Sequence, residues 1–162
     1  MNDAARRFLD IPIRTNSKAG TLPIRFNIAL RIYSGAVPPN QVSAKLGIDA
    51  TSAVSIEPMS EPLGTQLFRL GRVNGWFLET EEHVETRDPR SHINGFLAKV
   101  GSIQPKLTEF LTLPETRAEI SITIWEKTGG KLLLNPSDIA QLSALGLPVW
   151  LSFADYGDDE EE

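Results

Sequence analysis

Ile24, Phe26, Ile28, Leu30 and Ile32 alternate with Arg25, Asn27, Ala29, Arg31 and Tyr33. A period of two over ten residues predicts a strand with one face on a core. Val37-Pro38-Pro39 then leads into a short helix over 39–46, because proline supplies the helical φ at a first position whose N–H would be unpaired anyway. Val42 and Leu46 share a face of it, and Gly47 follows as a left-handed stop. Most of residues 48–65, rich in serine, proline and glycine, reads as a loop. Residues 66–72 and 75–81 read as paired strands, with Asn74-Gly75 as the hairpin turn.

Asp88-Pro89 opens the longest helical pattern, with aspartate as N-cap. Ile93, Phe96, Leu97, Val100, Leu107, Phe110 and Leu111 form its apolar stripe, while Gly101 and Pro105 interrupt it. A proline inside a helix costs about 3 kcal/mol, so a break near 101–104 is expected. Residues 117–126 alternate again, with Ala118, Ile120, Ile122 and Ile124 on one face. Gly129-Gly130 turns into a short strand at 131–134, and Asn135-Pro136 opens a helix with Ile139, Leu142 and Leu145 inward, stopped by Gly146. Residues 148–154 form the last strand, with Val149, Leu151 and Phe153 on one face.

The order β-α-β-β-α-β-β-α-β predicts an α+β fold, a mainly antiparallel sheet with helices packed on one face. The first six elements match a split βαβ (ferredoxin-like) core, followed by a further β-α-β. The strand–proline–helix unit occurs twice, which fits an old duplication and two independent uses of the same start and stop chemistry equally well.

The 162 residues suit one domain. Residues 1–23 lack sustained periodicity and are expected to be an N-terminal arm, 24–154 the domain, and 155–162 an acidic tail. The absence of cysteine excludes disulfides, thiolate metal sites and cysteine nucleophiles. No apolar run approaches the ~20 residues of a membrane span, and no secretory core precedes Pro12. A cytoplasmic protein without a membrane partner is expected. The net charge is −5, but Asp155, Asp158, Asp159, Glu160, Glu161 and Glu162 account for six of the 21 acidic groups. The remaining 15 nearly balance the 16 basic ones, so no nucleic-acid partner is expected.

The strand Phe26-Asn27-Ile28-Ala29-Leu30-Arg31-Ile32-Tyr33 and the following Pro38…Leu46-Gly47 form an ordered set of short motifs. Gly75-Trp76, Leu134-Asn135-Pro136-Ser137 and Leu142…Leu145-Gly146 continue it, before a final apolar strand and an acidic tail. In order and spacing these resemble a bacterial family, domain of unknown function family 4279, over about residues 24–156. The resemblance implies no catalytic residues and no cofactor.

Chemistry-bearing residues are few. His83 and His92 lie nine apart, too far for paired ligands on one helix face, and Asp88, four before His92, is better used as an N-cap. Glu79, Glu81, Glu82, Glu85 and Asp88 form an acidic stretch around His83. Alternation sets Glu79 and Glu81 opposite Trp76 and Leu78. No Gly-x-Ser-x-Gly elbow is present, and Gly129-Gly130-Lys131 lacks the spacing of a phosphate loop. No catalytic or metal site is assigned. Arg25 and Arg31 share the polar face of the first strand and Arg69 and Arg72 flank the hairpin, a basic stripe that neighbouring strands would set beside Tyr33 and Trp125. Trp125 and Trp150 fall opposite the aliphatic stripes of their own strands.

An exposed aromatic sheet face is a partner site. Trp76, Glu79, Glu81, Trp125 and Trp150 are therefore the candidate partner-binding residues. The expected function is a non-enzymatic binding protein whose partner is another protein, of the immunity type that neutralises a bacterial toxin. The alternative is a small-molecule-binding regulatory domain; an enzyme ranks last, because no nucleophile–base–orienter set assembles from these residues.

Overall fold

A computed structural model describes residues 25–56, 73–81, 84–126, 132 and 134–155. The expected N-terminal arm, the strand at 66–72, Arg69, Arg72, Glu82, His83 and the tail from 156 onward lie outside the described residues. Of the short strand expected at 131–134, only Leu132 and Leu134 are described, and both pack against the core.

The described chain runs β1 (Arg25–Ser34), α1 (Pro39–Leu46), β2 (Ser52–Val54), β3 (Asn74–Glu79), α2 (Pro89–Phe110), β4 (Thr116–Glu126), α3 (Pro136–Ala144) and β5 (Val149–Asp155). The strands form one sheet in the order β2-β3-β1-β4-β5. β1 is antiparallel to both β3 and β4, β2 is antiparallel to β3, and β5 alone runs parallel to its neighbour β4. This is the expected α+β class with a mainly antiparallel sheet. The parallel pair needs a crossover, which α3 provides.

Register explains the faces. Phe26, Ile28, Leu30 and Ile32 stand opposite Ile124, Ile122, Ile120 and Ala118, while Leu30 and Ile32 also meet Leu78 and Trp76. Directly opposed residues share a face, so these side chains form one apolar layer. α2 closes it with Ile93, Phe96, Val100, Ile103, Leu107 and Phe110, and α1 adds Val42 and Leu46.

Helix ends follow their chemistry. The Asp88 carboxylate accepts from the backbone N–H groups of Arg90 and Ser91, both at 3.3 Å. Gly47 takes φ +76°, the left-handed conformation that closes α1. Before α3, the Asp138 carboxylate accepts from the backbone N–H of Asn135 at 3.1 Å and from its side-chain amide at 3.2 Å.

Four expectations are corrected. First, α2 is one helix and does not break near 101–104. Pro105 removes the bond to the Gly101 carbonyl, but both residues are exposed, so water can satisfy that carbonyl while the buried stripe continues behind it. Second, Asn74-Gly75 is not a turn; both lie in β3, opposite Ser34 and Tyr33. The Phe77 ring lies across Gly75, where an added Cβ would sit 2.5 Å from Cζ, and Asn74 is buried with its Oδ1 accepting from the Ile56 N–H at 3.0 Å. Asparagine and glycine serve packing here, not a reversal. Third, the expected loop 48–65 contains β2, which pairs Ser52, Ala53 and Val54 with Phe77, Trp76 and Gly75. Fourth, Ile139 of α3 is exposed and only Leu142 of its apolar residues is fully buried. As expected, Val149, Leu151 and Phe153 share one face, the helix side, and they are about half exposed because β5 is at the sheet margin among the described residues.

Candidate functional site

The sheet face opposite the helices carries Arg25, Asn27, Arg31 and Tyr33 of β1, Phe77 and Glu79 of β3, and Glu119, Thr123 and Trp125 of β4. β5 extends this face with Trp150, which pairs with Ser121. Small residues at its centre, Ala29 opposite Ser121, leave the sheet low between larger side chains. A cleft of about 500 Å³ results, lined by Arg25, Asn27, Arg31, Glu79, Glu81, Thr123 and Trp125.

Asn27 organises one end. It is buried, and its Oδ1 accepts from the backbone N–H groups of Thr80 at 3.1 Å and Glu81 at 3.2 Å. Its Nδ2 donates to Glu79 Oε1 at 3.4 Å. One strand asparagine thus shapes the backbone as it leaves β3 and presents both carboxylates. Glu79 also accepts from Ser52 Oγ at 3.0 Å. Glu81 pairs with Arg25, whose guanidinium lies 4.8 Å from the Trp125 ring centroid. Cation and carboxylate are both solvent-accessible, so this pair orients groups more than it stabilises the fold.

Arg31 differs. It is half-buried, stands between Phe77 and Glu119 in register, and has no hydrogen-bond or ion-pair partner among the described residues. Next to it, Tyr33 donates to Glu119 Oε1 at 3.4 Å and meets the Phe77 ring edge-on at 5.8 Å, while the Arg117 guanidinium lies 4.8 Å from its ring centroid. A planar guanidinium in a cleft suits a carboxylate or phosphate accepted in bidentate geometry.

His92 is buried on the helix side against the Phe26 ring, 5.3 Å between centroids. Its Nε2 lies 2.8 Å from the Thr86 carbonyl, which can only accept, so Nε2 carries a proton. Its Nδ1 lies 2.8 Å from Thr80 Oγ1 and, in the neutral ring, accepts from that hydroxyl. Desolvation by burial lowers its pKa below 6.5, opposed by the Thr86 hydrogen bond and the Asp88 charge. Both ring nitrogens are committed, so His92 is a structural group and offers no free base.

The structure thus brings together Glu79, Glu81 and Trp125 in the cleft and places Trp150 on the same face one strand away. It removes Trp76, which is buried on the helix side with its Nε1 donating to Ser43 Oγ at 2.9 Å and cannot meet a partner. Asp88 caps α2, and among the described residues no group of three or more acidic or histidine side chains could hold a metal ion. Sequence reasoning missed Asn27 as the organiser; the available signal was an asparagine within a strand, where that residue is disfavoured.

Fold and face define a class: a small α+β domain with helices on one side of its sheet and an open, charged and aromatic cleft on the other. The chain belongs to the family described as Domain of unknown function (DUF4279), which matches residues 24–156. Comparison with curated proteins and with solved structures gave no match. Among the described residues, no helix is long and apolar enough to cross a membrane.

Proposed function

We propose that this is a non-enzymatic binding protein of the bacterial cytoplasm that offers its open sheet face to another protein, as an immunity-type protein does to the toxin it neutralises. The observation carrying this is that Trp150, 60% exposed, shares the open face with Arg31, which has no hydrogen-bond or ion-pair partner among the described residues. Tryptophan and arginine dominate the residues that hold protein partners, and neither the exposed Trp150 nor the half-buried Arg31 belongs to the core. No nucleophile with a free base stands beside it among the described residues, which favours binding over catalysis.

The test is affinity capture from the source cell with three baits: the natural chain, an Arg31→Glu/Trp150→Ala variant, and an Ile139→Ala control. A partner recovered by the first and third but lost by the second supports the reading; equal recovery by all three contradicts it. Deleting the gene should also sensitise the cell to that partner if the partner is a toxin, and unchanged resistance would remove the immunity role.

A second reading has its own support. The cleft volume of about 500 Å³ falls in the range of small-molecule sites. Thermal-shift screening against metabolite carboxylates and phosphates should then find a stabiliser that fails to act on Arg31→Ala.

A further inference from the structure

Among the described residues β5 pairs on one side only, and its outer edge is unlike a protected one. Native edge strands are usually blunted by lysines, bulges or prolines. No charged residue lies between Asp138 and Asp155, and Pro148 precedes the strand. Val149, Trp150, Leu151 and Phe153 are all among the exposed large apolar residues, covering both faces of this one strand.

We infer that the free edge of β5 pairs antiparallel with β5 of a second copy of this chain, joining two sheets into one continuous sheet. The hydrogen-bonding phase supports it. The Ile120 N–H donates to the Pro148 carbonyl at 2.8 Å and Ile120 pairs with Val149. In a parallel ladder this turns the N–H and C=O groups of residues 150, 152 and 154 toward β4. Those of Val149, Leu151 and Phe153 then point outward and lack sheet partners among the described residues. A two-fold axis at Leu151 sets Val149 against Phe153 twice and Leu151 against itself, so outward groups meet outward groups. Each symmetric contact is aliphatic or a β-branched residue on an aromatic one, which are favourable cross-strand pairs. On the open face Trp150 meets Ser152, without two indoles colliding.

The self-complementary register selects a second copy, and charge permits it. Outside the acidic tail that begins at Asp155 the chain is nearly neutral, with 15 acidic against 16 basic groups, so two copies repel little beyond their tails. The uncharged run 139–154 is where two of them can approach without opposing like charges. A contact of one strand and four large side chains per copy is small for a specific interface, so association should depend on concentration. The dimer would set two open faces side by side, with Trp150 of each near the junction.

Two measurements on the full chain test this. Light scattering after size exclusion should give a mass rising toward twice 17.9 kDa with concentration. Leu151→Lys, which opposes two ammonium groups on the axis, should hold it at one chain. The chain has no cysteine, so Leu151→Cys introduces a single thiol at the two-fold. A hydrogen-bonded antiparallel pair has its Cα atoms about 5.5 Å apart, within disulfide reach. Mild oxidation should therefore give a covalent dimer, while Val54→Cys, equally exposed on the far margin, stays monomeric. A single-chain mass at every concentration, or equal cross-linking of the two cysteine variants, overturns the proposal. Should Leu151→Lys fail to fold, the cross-linking result decides alone.

Discussion

β4 and β5 lie side by side, run in the same direction and alternate in the same way, yet they meet opposite fates. On the helix side Ile120, Ile122 and Ile124 are 0%, 0% and 2% exposed, while their direct partners Val149, Leu151 and Phe153 are 47%, 48% and 54% exposed. Alternation decides which face a side chain joins; what lies above that face decides whether it is buried. The Ile residues of β4 share the core cluster with α2, a helix of 22 residues, whereas α3 has nine residues and buries only Leu142 and Asp138. An apolar strand left at a margin then becomes a surface for association.

The largest test of this contrast is Ile122→Ala, which removes a fully buried side chain. It should cost about 3 kcal/mol of unfolding free energy in urea titrations. Near-neutral behaviour would mean that β4 is not core.

The pH dependence sharpens the buried side further. Desolvation holds the pKa of His92 in the folded chain below the ordinary histidine value of 6.5. Above pH 6.5 both states hold a neutral ring and stability is flat in this group. As pH falls below 6.5 the unfolded state binds the proton more readily, so stability drops until the folded pKa is passed. His92→Gln should abolish that increment of the urea midpoint's pH slope; an unchanged slope would place the titration elsewhere.

Asp88→Ala deletes the N-cap of the covering helix and should cost about 1 kcal/mol, with little local change at β5. The smallest effect is reserved for the margin. Leu151→Ala in dilute protein should change stability by less than about 0.5 kcal/mol, as for other exposed sites. A loss matching that of Ile122→Ala would erase the contrast.

Much of the fold could be read from residue patterns. The ten-residue alternation became β1, the isoleucine stripe became β4, and the proline-start, glycine-stop helices lie where Pro39, Gly47, Pro136 and Gly146 put them. These signals are local, so local patterns carry them. What escaped depends on distant neighbours. Asn74-Gly75 has turn chemistry but is held in β3 by Tyr33, Phe77 and Ile56. Pro105 looks like a breaker until the fold sets it and Gly101, whose carbonyl loses its partner, on the exposed side of the helix. The site was legible in part. Strand alternation assigned Trp125, Glu79 and Glu81 to the open side, and the adjacency of β1 and β4 brought them together with Arg25 and Arg31. Trp76 was misjudged because Leu46 and Val42 of α1, far away in sequence, join the core that covers it.

The most direct measurement is residue-resolved amide hydrogen exchange on the unmodified chain across a dilution series. The β4 amides should stay protected at every concentration, while those of Val149, Leu151 and Phe153 should be protected in concentrated protein and exchange faster on dilution. Fast exchange of these three at all concentrations, or protection that dilution never weakens, would contradict the pairing of two β5 strands.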